Sequence, residues 1–79
     1  MKRNKASVLA AEILEAITKR YVIFDKPIPA SVLKLKDEAM AIFAEVYDKS
    51  DENLPPKYEQ QLLEIKKQLA EEFDKGDLS

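Results

Sequence analysis

The sequence has 79 residues, 46% hydrophobic and 35% charged, with a formal net charge of −2 and no Cys, His or Trp. That length fits one domain; disulfide and thiolate chemistry are ruled out, and the imidazole and thiolate ligands that zinc favours are missing. The single Gly argues against a phosphate-cradling loop, which needs several glycines for close backbone approach.

The first residues, Met1-Lys2-Arg3-Asn4-Lys5, open like the basic start of a secretion signal. Glu12 and Glu15 then interrupt the apolar run such a signal requires. Residues 1–4 are expected to form a flexible basic arm. No stretch of about 18 apolar residues occurs, so no membrane-spanning helix is expected. The expectation is a soluble, cytoplasmic protein.

Pro27, Pro29, Pro55 and Pro56 then divide the chain into three pieces of similar size. Each piece repeats its apolar residues at the helical period, and no Asn-Gly or Asp-Gly hairpin signal occurs. The first helix is predicted over about 5–24. Leu9, Ile13, Ile17, Tyr21 and Phe24 make its stripe, widened by Ala10 and Leu14. Tyr21-Val22-Ile23-Phe24 also has strand character. With no second strand to pair it, it reads as the last helical turn, buried or offered to a partner. Asp25-Lys26-Pro27 ends the helix, because a residue before proline avoids the α region.

The second helix is predicted over about 29–49, with proline at its first position, where a missing N–H has no intrahelical acceptor anyway. Val32, Leu35, Ala39, Ile42 and Val46 form one stripe; Leu33, Met40, Phe43 and Tyr47 form a second. Two stripes make an apolar arc wider than a lone amphipathic helix needs. Either this helix is central, touching both neighbours, or it offers surface to another chain. The third helix is predicted over about 55–75, with Tyr58, Leu62, Ile65, Leu69 and Phe73 as its stripe. Glu71 and Lys75 are spaced for an ion pair. Gly76 is placed to close the helix in a left-handed conformation, before a frayed tail over 77–79. Helices of this length with short links pack as antiparallel neighbours. The fold class expected is an all-α, antiparallel three-helix bundle in a single domain spanning 1–79. The alternative is an α-hairpin with a loosely docked helix, completed by dimerisation.

The chemistry-bearing residues point away from catalysis. No histidine is present, and Ser7, Thr18, Ser31, Ser50 and Ser79 have no neighbouring base in sequence. The carboxylate groups Asp48, Asp51, Glu52 and Glu71, Glu72, Asp74 read as solvated helix ends, since paired-carboxylate hydrolysis needs a cleft at set distances. Asp51-x-Asn53 is too short for a calcium loop and lacks its glycine. No enzymatic activity, cofactor, metal or small-molecule substrate is expected.

Charge and surface point to partners instead. Through Lys36 eight basic residues stand against three acidic, a net of +5; from Asp37 onward five stand against twelve, a net of −7. Either the halves attract each other inside the bundle, or the basic end meets an acidic partner, an anionic membrane or nucleic acid. A pI near 5.1 and the lack of an aromatic platform beside Lys2, Arg3 and Lys5 disfavour nucleic acid. Val22, Ile23, Phe24 and Ile28 around the first link, with Met40 and Tyr47 on the second helix, are the partner-binding candidates. Three short helices have difficulty covering all of them, so self-association or a protein partner is expected.

One stretch adds a family. Ile42-Phe43-Ala44-Glu45-Val46-Tyr47-Asp48, a polar link, Pro56-Lys57-Tyr58, then Leu62-Leu63-Glu64 and a Lys- and Leu-bearing helix resemble the enterocin-A-type bacteriocin immunity proteins. The match runs from about Ala41 to Gly76, under half of the chain, and its most distinctive part is the spacing of Tyr47 and Tyr58. The segment before Ala41 has no counterpart in that order. The resemblance implies a small cytoplasmic helical bundle that protects a bacteriocin producer through the toxin's membrane receptor complex, with no enzymatic step.

Overall fold

The computed structural model describes residues 4–78. The chain forms α1 (Lys5–Ile17), which runs on into a π-helical turn over Thr18–Val22, then α2 (Ala30–Val46), a short 3-10 turn over Asp51–Asn53, and α3 (Pro56–Leu78). Every pair of the three α-helices is in contact, and no strand occurs among the described residues. Three contacts fix the directions. Asn4, before α1, bonds to Val46 at the end of α2; Glu12 reaches Lys66 in mid-bundle; Arg20 reaches Phe73 near the end of α3. α1 and α3 therefore run parallel, and α2 runs antiparallel to both. The result is an all-α three-helix bundle with extents of 43 × 21 × 16 Å.

The core follows the predicted stripes. Ile13 and Ile17 of α1, Val32, Leu35, Ala39 and Val46 of α2, and Leu62, Ile65 and Leu69 of α3 are buried together. Each large aliphatic among them contributes roughly 1.5–3 kcal/mol by leaving water. Buried Ala6, Ala10 and Ala39 keep the helices close, since a methyl group leaves little between two backbones. Leu9, Ile42, Tyr58 and Phe73 are partly buried and pack on the edge of this core.

The structure moves several boundaries. Asn4, expected in the flexible arm, is buried and caps α1; residues 1–3 of that arm lie outside the described residues. Phe24, expected on the α1 stripe, is exposed. The Thr18 hydroxyl donates to the Leu14 carbonyl at 3.0 Å, a side-chain bond that competes with the helical ladder. The chain then widens into i→i+5 bonding, Ile23 N–H to Thr18 O at 3.0 Å, and the 3.6-residue period breaks before it reaches Phe24. Pro29 is the N-cap of α2 rather than its first helical residue, whereas Pro56 does open α3. α2 stops at Val46, short of 49. α3 continues through Gly76, Asp77 and Leu78, and no glycine among the described residues takes positive φ. Ser79 lies outside the described residues. Lys75 reaches Glu72 at 3.8 Å, one residue on from the expected Glu71.

Candidate functional site

The bundle has two unlike ends. At the first, Asn4 is 1% exposed. Its Oδ1 accepts the Ser7 N–H at 2.7 Å, and its Nδ2 donates to the Val46 and Lys49 carbonyls, both at 2.6 Å. The Ser7 hydroxyl donates back to the Asn4 carbonyl at 2.9 Å. One side chain thus caps the start of α1 and satisfies carbonyls at the end of α2, groups that helix termini otherwise leave unpaired.

The second end is built from the π-helical turn and the first link. Lys26 N–H bonds to Tyr21 O at 2.9 Å and Asp25 N–H to Val22 O at 3.1 Å. These 6→1 and 5→2 bonds form a Schellman closure, with Asp25 at the left-handed position, φ 54°. Beneath the turn, the Tyr21 and Phe73 rings meet at 5.9 Å. The Arg20 guanidinium lies 5.1 Å over the Phe73 ring and donates to the Phe73 carbonyl at 3.2 Å. Backbone bonds close this end, and the side chains above it are left to the surface. Val22, Ile23 and Phe24 are 57%, 64% and 65% exposed.

Around these three residues the charges are mixed. Lys19 pairs with Glu15 at 2.8 Å, and Lys26 Nζ sits 5.7 Å over the Phe24 ring. A cleft of about 520 Å³ beside Phe24 is lined by Arg20, Tyr21, Lys26, Pro29, Glu72 and Lys75. The basic first half of the sequence does not gather at one place. Lys5 begins α1 at the Asn4 end, while Lys19, Arg20 and Lys26 stand at the other.

The remaining sequence candidates divide. Met40 and Tyr47 are exposed on α2, where Tyr47 stacks on Phe43 at 6.0 Å. Ile28 instead turns inward and packs against the core, so it leaves the candidate surface. The link that carries it must return toward α2, and an isoleucine there closes the bundle between α1 and α2.

Titration is perturbed at three groups. The Lys19 ammonium, by hydrogen bond and then by charge, lowers the Glu15 carboxyl and is itself raised. A hydrogen bond to the Glu45 carboxylate raises the Tyr58 phenol above 10.0, with desolvation and the carboxylate charge adding to it. The first pair is an exposed i,i+4 bridge and the second ties α2 to α3; neither faces a cleft shaped for a reaction. Among the described residues no three acidic side chains are placed to hold a metal ion.

Sequence reading missed Asn4 and the π-helical turn. The signal for Asn4 was present, since an asparagine just before an apolar helical period is a preferred N-cap. Its second role, across to Val46 and Lys49, has no local signature. Comparison with protein-family models, curated proteins and solved structures gives no match.

Proposed function

We propose that this chain is a non-enzymatic interaction protein that docks a protein partner through its Val22–Phe24 end, with Ile23 and Phe24 as the anchors. The observation that carries this reading is the exposure of three consecutive apolar side chains on a turn whose backbone is hydrogen-bonded. A turn held in place loses little freedom on binding, so its anchors act at low entropic cost. An apolar centre ringed by Lys19, Arg20, Asp25, Lys26 and Glu72 has the anatomy of a protein interface, where a few central anchors dominate the energy. The mixture of signs favours a protein over the alternative, a peripheral binder that uses its basic N-terminal end on an anionic membrane or nucleic acid. Those polyanions reward clusters of one sign.

The resemblance over Ala41 to Gly76 supports one version of this role, bacteriocin-immunity-like self-protection in the cytoplasm. No helix among the described residues is long and apolar enough to cross a membrane, which suits a partner reached from one side. The test is Ile23→Asp in partner capture from the native host, checked by circular dichroism. A folded variant that loses a partner held by the wild type supports the reading. Equal capture by both sinks it. Steep loss of wild-type binding between low and physiological salt would favour the peripheral binder instead.

A further inference from the structure

α2 carries two parallel seams with the same spacing. Val32, Leu35, Ala39, Ile42 and Val46 form the inner one; Leu33, Lys36, Met40, Phe43 and Tyr47 form the outer one. Both step by three and four residues in turn, the repeat of a helix that lays a seam against another helix. α1 and α3 fill the inner seam. Nothing lies over the outer one: Leu33 is 41%, Met40 49% and Tyr47 61% exposed.

The outer seam lies on the α1 side of α2. The opposite flank of α2, with Glu38, Ala41 and Ile42, borders α3 at Gln61, Glu64 and Gln68. On α1, Glu12 and Arg20 turn toward α3. Ser7, Ala11, Leu14 and Thr18, again spaced by four and three, lie on the other side, toward α2. The two flanks form one continuous face. Lys36 is the only charged residue among these nine positions, whereas the groove between α2 and α3 is lined by Glu38, Glu64, Glu71 and Glu72.

We propose that this α1–α2 face pairs with the same face of a second copy. The proposal rests on the reading of the chain as an interaction protein and assigns one of its two surfaces to self-association. Area supports it. The face is roughly 25 Å long and about two helix diameters, ~20 Å, wide. That is on the order of 500 Å² in plan, and more when followed over side chains, in the range of the ~800 Å² per partner of a stable pair. The Val22–Phe24 tip alone, three side chains, falls well short of that. Register supports it too. With two α2 seams antiparallel about Met40, Leu33 lies level with Tyr47 of the second copy. Lys36 lies level with its small Ala44, which leaves room for the lysine stem to run out to the rim. One polar residue in an apolar seam fixes register and partner number.

The experiment is sedimentation equilibrium of the full chain over a range of concentrations, with Met40→Glu, Tyr47→Glu and Ile23→Asp beside the wild type. The wild type should approach twice the chain mass as concentration rises. Met40→Glu should remain at one chain mass with its helical signal intact, because Met40 is already half in water. Should Met40→Glu lose helicity, Tyr47→Glu carries the same expectation. Ile23→Asp should dimerise like the wild type. A wild type that stays monomeric throughout overturns the inference, and so does a dimer that persists in both glutamate variants. Partner capture that depends on Ile23 would survive either result, so failure here is distinct from failure of the proposed function.

Discussion

The two ends of the bundle solve one problem in opposite ways. Each must reverse the chain, satisfy helix-terminal N–H and C=O groups, and join three helices. At the Asn4 end the solution is a buried side chain that bonds three backbone groups in two helices. At the Val22–Phe24 end it is the backbone itself, through the Schellman bonds to Tyr21 and Val22. The first solution commits its side chains to the interior. The second leaves them uncommitted, and three apolar ones face outward. Stability and recognition are thereby separated along the length of the bundle, and substitutions at the two ends should fail in different ways.

The core between the ends sets the scale. Leu69→Ala removes a buried aliphatic side chain and should cost about 2–5 kcal/mol, read as a shift in the denaturation midpoint. A change under about 0.5 kcal/mol, the range of ordinary surface substitutions, would put this stripe in water and remove the frame for the comparison.

At the Asn4 end, Asn4→Ala should cost about 2–3 kcal/mol, from a lost cap and two abandoned carbonyls. Asn4→Asp separates the two roles. It keeps the acceptor for Ser7 but loses the donor and sets a carboxylate against the Val46 and Lys49 carbonyls. If Asn4→Asp proves as stable as the wild type, the cap alone matters and the bridge to α2 is ornamental. Ile23→Asp, at the other end, should change stability by no more than about 0.5 kcal/mol while abolishing partner capture. Asp25→Gly should stabilise that end by about 1 kcal/mol, because glycine holds a positive φ without the Cβ clash. If Asp25→Gly is neutral or destabilising, the aspartate side chain supports the turn by some bond of its own.

Much of this contrast was legible in the sequence, and the gaps have physical causes. Helix number, the inner stripes and the exposure of Val22 and Ile23 follow from periodicity and proline punctuation, which are local. The second stripe of α2 was visible as Leu33, Met40, Phe43 and Tyr47; its side of the bundle was not, because that depends on where α1 and α3 pack. Phe24 was misplaced because a hydrogen-bond choice at Thr18 resets the period, and sequence spacing assumes 3.6 residues per turn throughout. Asn4 was misread because Lys2, Arg3 and Lys5 surround it, and charge suggested an arm. Only the carbonyls of residues more than forty positions away show why it is buried.

The smallest effect expected is in pH, and it too differs between the ends. Tyr58 opens α3 at the Asn4 end, hydrogen-bonded to Glu45 of α2, and its phenol is raised above 10.0. A raised folded value means that the bond contributes fully below the ordinary tyrosine range. Its contribution is lost as pH rises through the higher folded value, where phenolate and carboxylate would face each other. Glu15 and Lys19, near the other end, are lowered and raised respectively. That pair contributes between the ordinary carboxyl and lysine ranges, falling away in acid through Glu15 and in strong base through Lys19. It is exposed and screened by solvent, so neither loss should be measurable. The check is urea unfolding of wild type and Tyr58→Phe from about pH 8 to about pH 11. The wild type should be the more stable at the lower pH, and the advantage should vanish or reverse at the upper. Tyr21 and Tyr47 titrate in both proteins, so the difference isolates position 58. An advantage that stays constant across the range would mean that the Glu45 bond does not hold the phenol, and that the Asn4 end is closed by Asn4 alone.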